Sequence, residues 1–137
     1  MNFDKRLMFC EEQAITASAV SENTIELGEN DVSVGGPVPL FMFVNEKFEG
    51  TATGLTVKIQ VNDKADFSGT TATLLEETIA IADLKEGKIL PPKYMPKGAK
   101  GFARLSFTVE GSNTPAFTKG KLTAGVVDAI HEDYTDI

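Results

Sequence analysis

The side chains that could exchange protons or attack an electrophile are few. His131 is the only histidine and Cys10 the only cysteine of the 137 residues. A nucleophile and its base would have to be assembled by bringing those two together through the fold. His131 stands among Asp128, Glu132 and Asp133 near the C-terminus, which suits a solvated end better than a general base. Cys10 has no histidine near it in sequence and reads as a small buried apolar residue. The G-x-S-x-G, S-x-x-K and H-E-x-x-H patterns do not occur. One His and one Cys cannot furnish a structural zinc set. Asn62-Asp63-Lys64-Ala65-Asp66 offers oxygen ligands but lacks the alternating acidic series and distal Glu of a calcium loop. Asp63 and Asp66 are therefore expected to close turns by bonding nearby backbone amides. Carboxylates are abundant, so no particular pair stands out for glycoside chemistry. Gly35-Gly36-Pro37 has neither phosphate-cradling spacing and reads as a turn. The expectation is a protein that is not an enzyme, with no catalytic, cofactor or metal site.

The elements that would position any site are strands. Residues 55–62, Leu-Thr-Val-Lys-Ile-Gln-Val-Asn, alternate apolar and polar without a fault, as a strand with one buried face does. Ala103, Leu105, Phe107 and Val109 alternate with Arg104, Ser106, Thr108 and Glu110 in the same way, and Leu122, Ala124 and Val126 repeat the pattern. Ile15, Ala17 and Ala19 alternate with Thr16 and Ser18, and Ile25 and Leu27 follow a turn signal at 21–23. Turn-formers punctuate the chain at 28–30, 35–37, 45–47, 62–63, 68–69, 98, 111–113 and 119–120. The only helix-like windows are 71–78 and 79–85, both short or rich in β-branched residues. Seven to eight short strands with little helix predict an all-β, antiparallel, jelly-roll-like β-sandwich. It occupies one domain over 1–137, with an extended N-terminal segment over about 1–12 and an acidic tail over about 128–137.

Two segments break the alternation. Val38-Pro39-Leu40-Phe41-Met42-Phe43-Val44 is apolar on both faces, with Leu40 and Met42 pointing one way and Phe41 and Phe43 the other. Only one of these faces can enter the core, so the other requires a partner subunit, the N-terminal segment or a loop as its cover. Between 85 and 104, Lys85, Lys88, Lys93, Lys97, Lys100 and Arg104 face only Glu86, while 128–137 carries acids and no Lys or Arg. Such polarity can orient an acidic partner. Within the basic stretch, the prolines of Leu90-Pro91-Pro92-Lys93-Tyr94-Met95-Pro96 predict a stiff extended loop able to reach a neighbour. Leu40, Phe41, Met42, Phe43, Lys93, Tyr94, Lys97 and Lys100 are thus the candidate partner interface.

Composition limits the partners. With 42% hydrophobic and 24% charged residues, the chain is neither disordered nor collagenous. A net charge of −7 has the wrong sign for neutralising phosphates, so nucleic acid is not an expected partner. A lone cysteine gives no internal disulfide. Residues 1–10 mix Asp4, Lys5 and Arg6 with apolar residues and show neither an apolar signal core nor a cleavage site, so export by the usual route is not expected. No run reaches the roughly 18 apolar residues of a membrane-spanning helix. The absence of Trp, with only Tyr94 and Tyr134 as tyrosines, counts against a sugar-stacking platform.

The order of segments carries a resemblance. Glu12-Gln13-Ala14-Ile15-Thr16-Ala17-Ser18-Ala19, then Asn23-Thr24-Ile25-Glu26-Leu27-Gly28, then Pro39-Leu40-Phe41 leading to Val57-Lys58-Ile59-Gln60-Val61, resembles the cement, or decoration, proteins of tailed-bacteriophage capsids of the Bordetella-phage type. Asp66-Phe67-Ser68 with Thr70-Thr71, and Pro115-Ala116-Phe117-Thr118-Lys119-Gly120-Lys121-Leu122-Thr123-Ala124-Gly125, look like that family's middle turn and closing strand. The resemblance spans 12–127 and leaves out the 91–96 loop and the acidic tail. It implies a jelly-roll homodimer, or a trimer, on the exterior of an HK97-type capsid. There it would bind the major capsid protein and stabilise contacts between capsid subunits, without catalysis or cofactor, having been made in the host bacterial cytoplasm. A tail or fibre accessory domain of the same virion, or a carbohydrate-binding or adhesion sandwich, would share the β architecture.

Overall fold

The computed structural model describes residues 7–28, 38–91 and 94–126. Eight strands lie among them: β1 (Met8–Ala14), β2 (Ala19–Val20), β3 (Ile25–Gly28), β4 (Leu40–Gly50), β5 (Gly54–Asn62), β6 (Ala72–Ala80), β7 (Gly101–Glu110) and β8 (Phe117–Val126). They form two antiparallel sheets. One has the order β1-β8-β4; the other runs β2-β7-β5-β6, with β3 also on β7. The chain is the all-β sandwich that its alternation predicts.

The core follows from that alternation. Leu55, Val57, Ile59 and Val61 of β5 and Ala103, Leu105, Phe107 and Val109 of β7 face inward against Met42, Val44 and Phe48 of β4 and Leu122 and Ala124 of β8. Phe48 and Phe117 meet edge to face at 4.8 Å between ring centroids, a favoured aromatic geometry. Gly120 lies beneath this pair: a Cβ there would come within 2.4 Å of the Phe48 ring, so no larger residue fits.

Several expectations change. The small-residue alternation at 15–19 is not a strand; β1 ends at Ala14, and the chain bends through 16–18 before β2. Five residues of alternation with only Ile15 buried do not outweigh the need to cross from one sheet to the other. The expected N-terminal arm over about 1–12 is strand from Met8 onward, paired with β8. The helix-like window at 71–78 is strand β6, followed by a single 3-10 turn over Ile81–Asp83. Turn closure at the 62–68 loop falls partly to a neighbouring residue. Asn62, rather than Asp63, accepts from the Lys64 amide (2.9 Å), while Asp66 accepts from Ser68 (3.0 Å) as expected. That amide bond holds the Asp66 carboxyl below its ordinary range.

Candidate interaction surface

Strand β4 decides which of its two apolar faces is spare. Leu40 and Met42 are 6% and 1% exposed and belong to the core; Phe41 and Phe43 lie on the outer side of the three-stranded sheet, half-buried. Of the two pairs that the sequence offered for lateral contact, Leu40 and Met42 are taken up by the sandwich itself. Phe41 and Phe43 stack with centroids 6.1 Å apart. Opposite Phe41 on β8 is Gly125, where a Cβ would meet the Phe41 Cζ at 2.9 Å, Met8 Sδ at 3.0 Å and the Leu7 carbonyl at 2.7 Å. The missing side chain is what lets the Phe41 ring lie down on the sheet. Opposite Phe43, Thr123 is buried; its hydroxyl accepts the Glu12 amide (2.9 Å) and hydrogen-bonds the Asn45 side chain, closing that end of the face with polar groups.

The described part of the proline-containing segment, with the residues that lead into it from 84, does not project. It runs along the free edge of β4 and satisfies that edge's backbone: Phe48 N–H donates to Leu84 C=O (3.0 Å), Val44 N–H to Lys88 C=O (3.0 Å), Gly87 N–H to Val44 C=O (2.8 Å), Leu90 N–H to Met42 C=O (2.8 Å) and Met95 N–H to Val38 C=O (2.9 Å). Gly87, at φ +83°, makes the turn that Gly accommodates without strain. Leu84, Leu90 and Met95 enter the core, while Ile89 and Tyr94 stay 70% and 54% exposed. Ile89 is the bridge partner of Phe43, and Tyr94 of Pro39, so both share the outer face of β4. Phe41, Phe43, Ile89 and Tyr94 thereby form one apolar strip, with Lys88 exposed beside it. Sequence reasoning picked out Phe41, Phe43 and Tyr94 but missed Ile89. Only its bridge to Phe43 reveals its place, and nothing periodic around residue 89 announces it.

The lysines are distributed differently. Lys97 sits in a turn whose Gly98 lies against Leu74 of β6. Lys100 lines an open cleft of about 410 Å³ together with Glu26, Asp63 and Phe102. Lys93, His131, the acidic tail and the 35–37 turn lie outside the described residues.

As for chemistry, the Cys10 thiol is fully buried on β1 and donates to the Leu122 carbonyl at 3.6 Å. Burial, opposed by a hydrogen bond with the Ala124 backbone, pushes it up from 9.0 to about 12, which disfavours the reactive thiolate. Among the described residues, no three His, Cys, Asp or Glu side chains are grouped to hold a metal ion. No helix among them is long and apolar enough to cross a membrane.

No curated protein matches the chain. A family model for Bbp16 matches residues 9–130, which takes in every strand but for the first residue of β1. The chain belongs to the Bbp16 family, whose name suggests a Bordetella phage protein.

Proposed function

We propose that this protein is a capsid cement, or decoration, protein that binds the exterior of an HK97-type phage shell and stabilises contacts between major capsid subunits. The observation that carries the reading is the apolar strip of Phe41, Phe43, Ile89 and Tyr94 on the outer side of the three-stranded sheet. Family membership supports a phage structural role. Such a protein contributes apolar burial and matched charge rather than reactive groups, and symmetry repeats each modest contact over the whole shell. In this reading the strip pairs subunits into a homodimer, and Lys93, Lys97 and Lys100 meet acidic capsid surface.

The experiment is co-sedimentation with purified, expanded shells. Wild-type protein is expected to saturate a fixed number of sites and to raise the temperature at which the shell opens. Reversing Lys93, Lys97 and Lys100 to Glu is expected to weaken occupancy most at low salt, where charge attraction is least screened. Absence of wild-type binding to shells, together with binding to purified tails, would move the protein to the tail.

A further inference from the structure

Among the described residues, two of the four lateral sheet edges are covered, a third is made of short strands, and one is long and open. The edge of β4 is covered by residues 84–90 and by Met95. The edge of β1 is tied to residues 20–23: the Asn23 amide donates to the Phe9 carbonyl (2.9 Å), the Gln13 side chain donates to the Val20 carbonyl (3.0 Å), and the Glu22 amide donates to the Gln13 side chain (2.9 Å). The edge beyond β7 consists of the 2-residue β2 and the 4-residue β3, too short to template an incoming strand. Strand β6 is different. It spans 9 residues, pairs only with β5, and among the described residues carries no backbone partner on its other side. Most of it is exposed.

The charges on that edge select what can add to it. Glu76 lies opposite Lys58, with Nζ and Oε1 3.9 Å apart. Glu77 lies opposite the core residue Val57, so it points to the inner side of the sheet at the rim of the sandwich, half-buried and with no ion pair among the described residues. Antiparallel pairing of two β6 strands in any register that keeps at least seven of the 9 residues sets these carboxylates directly or diagonally opposite one another, which is repulsive. The bulge between Ile59 and Gln60, which leaves Leu74 unpaired, disturbs a flat self-match further. The same two glutamates favour a strand with Lys or Arg at the facing positions.

We propose that β6 is the docking strand for an extended segment of the major capsid subunit, one that carries Lys or Arg opposite Glu76 and Glu77 and adds to the five-stranded sheet by backbone hydrogen bonds. This rests on the shell-binding reading above. Hydrogen exchange of the full-length protein, free and bound to purified shells, tests it. Amides of 72–80 that exchange quickly in the free protein are expected to become protected on the shell. Glu77→Lys is expected to lower shell affinity about tenfold, and Glu77→Gln by less, with an unchanged melting temperature in both. Wild-type protein that occupies shells while 72–80 exchanges as fast as before overturns the docking strand alone. Failure of wild-type protein to occupy shells overturns the cement reading, and this inference with it. The exchange measurement uses no variant, so it decides even if Glu77→Lys does not fold.

Discussion

The two outer faces of this sandwich are built by the same kind of strand and yet have opposite chemistry. On the five-stranded sheet, Lys58, Gln60, Arg104, Ser106 and Thr108 line the surface, and several polar side chains there are paired. Arg104 donates to Gln60 (3.0 Å) and lies 4.2 Å over the Phe67 ring, and the Thr56 and Thr78 hydroxyls share a bond of 2.9 Å. On the three-stranded sheet, Phe41 and Phe43 lie on small residues of β8 and merge with Ile89 and Tyr94. The antiparallel architecture requires only one buried face per sheet. The apolar outer face is therefore an addition that the fold does not need for its own cohesion, whereas the polar face is already satisfied and gains little from a partner.

That distinction can be broken most severely on β4 itself, where one strand supplies both a core and a surface. Phe48→Ala should cost about 3–5 kcal/mol of unfolding free energy, as loss of a fully buried aromatic does. Phe43→Ala, earlier on the same strand but on the outer face, should cost about 1 kcal/mol. Urea unfolding of both variants measures the ratio, and equal losses would make the outer face part of the core. The next effect is in pH. Because the folded state holds the Cys10 proton up to about 12 while the unfolded chain releases it near 9.0, the unfolded state binds fewer protons between those values. Stability should then fall by about 1.4 kcal/mol per pH unit across that window. A Cys10→Ala variant that keeps the same alkaline slope would assign the loss to other groups.

A smaller effect belongs to the seat of the Phe41 ring. Gly125→Ala places a methyl against Phe41, Met8 and the Leu7 carbonyl and should cost about 1–3 kcal/mol by overpacking. A fluorescence or calorimetric melt indistinguishable from wild type would mean that the ring moves aside freely. The smallest lies on the polar face, where Lys58→Ala should change stability by about 0–1 kcal/mol and shrink further in salt, since its pair with Glu76 is exposed and long at 3.9 Å. A larger, salt-insensitive loss would show that the polar face contributes to cohesion after all.

How much of this was legible in the sequence depended on whether a strand sits in the middle of a sheet. Strands β5, β7 and β8 each have a sheet neighbour on both edges, and the alternation of 55–62, 103–110 and 122–126 located them. Strand β6 is an edge. Its inward-facing Glu77 and its bulge at Leu74 destroy the period of two, so Thr71 to Thr78 looked helical. The two-faced nature of β4 was readable, but not which face is inside. That is fixed by its register with β8, a long-range fact that local sequence does not hold. The role of 84–90 and Met95 was hidden for a different reason. It covers β4 through backbone amides and carbonyls, which every residue has, and only the prolines drew the eye.

The cover along β4 has a consequence for crowded conditions. A sandwich with two exposed edges can hand strands from copy to copy without end, as fibres do. Here, among the described residues, β6 is the one long edge without backbone cover, so a strand added there would meet no second long edge from which growth could continue.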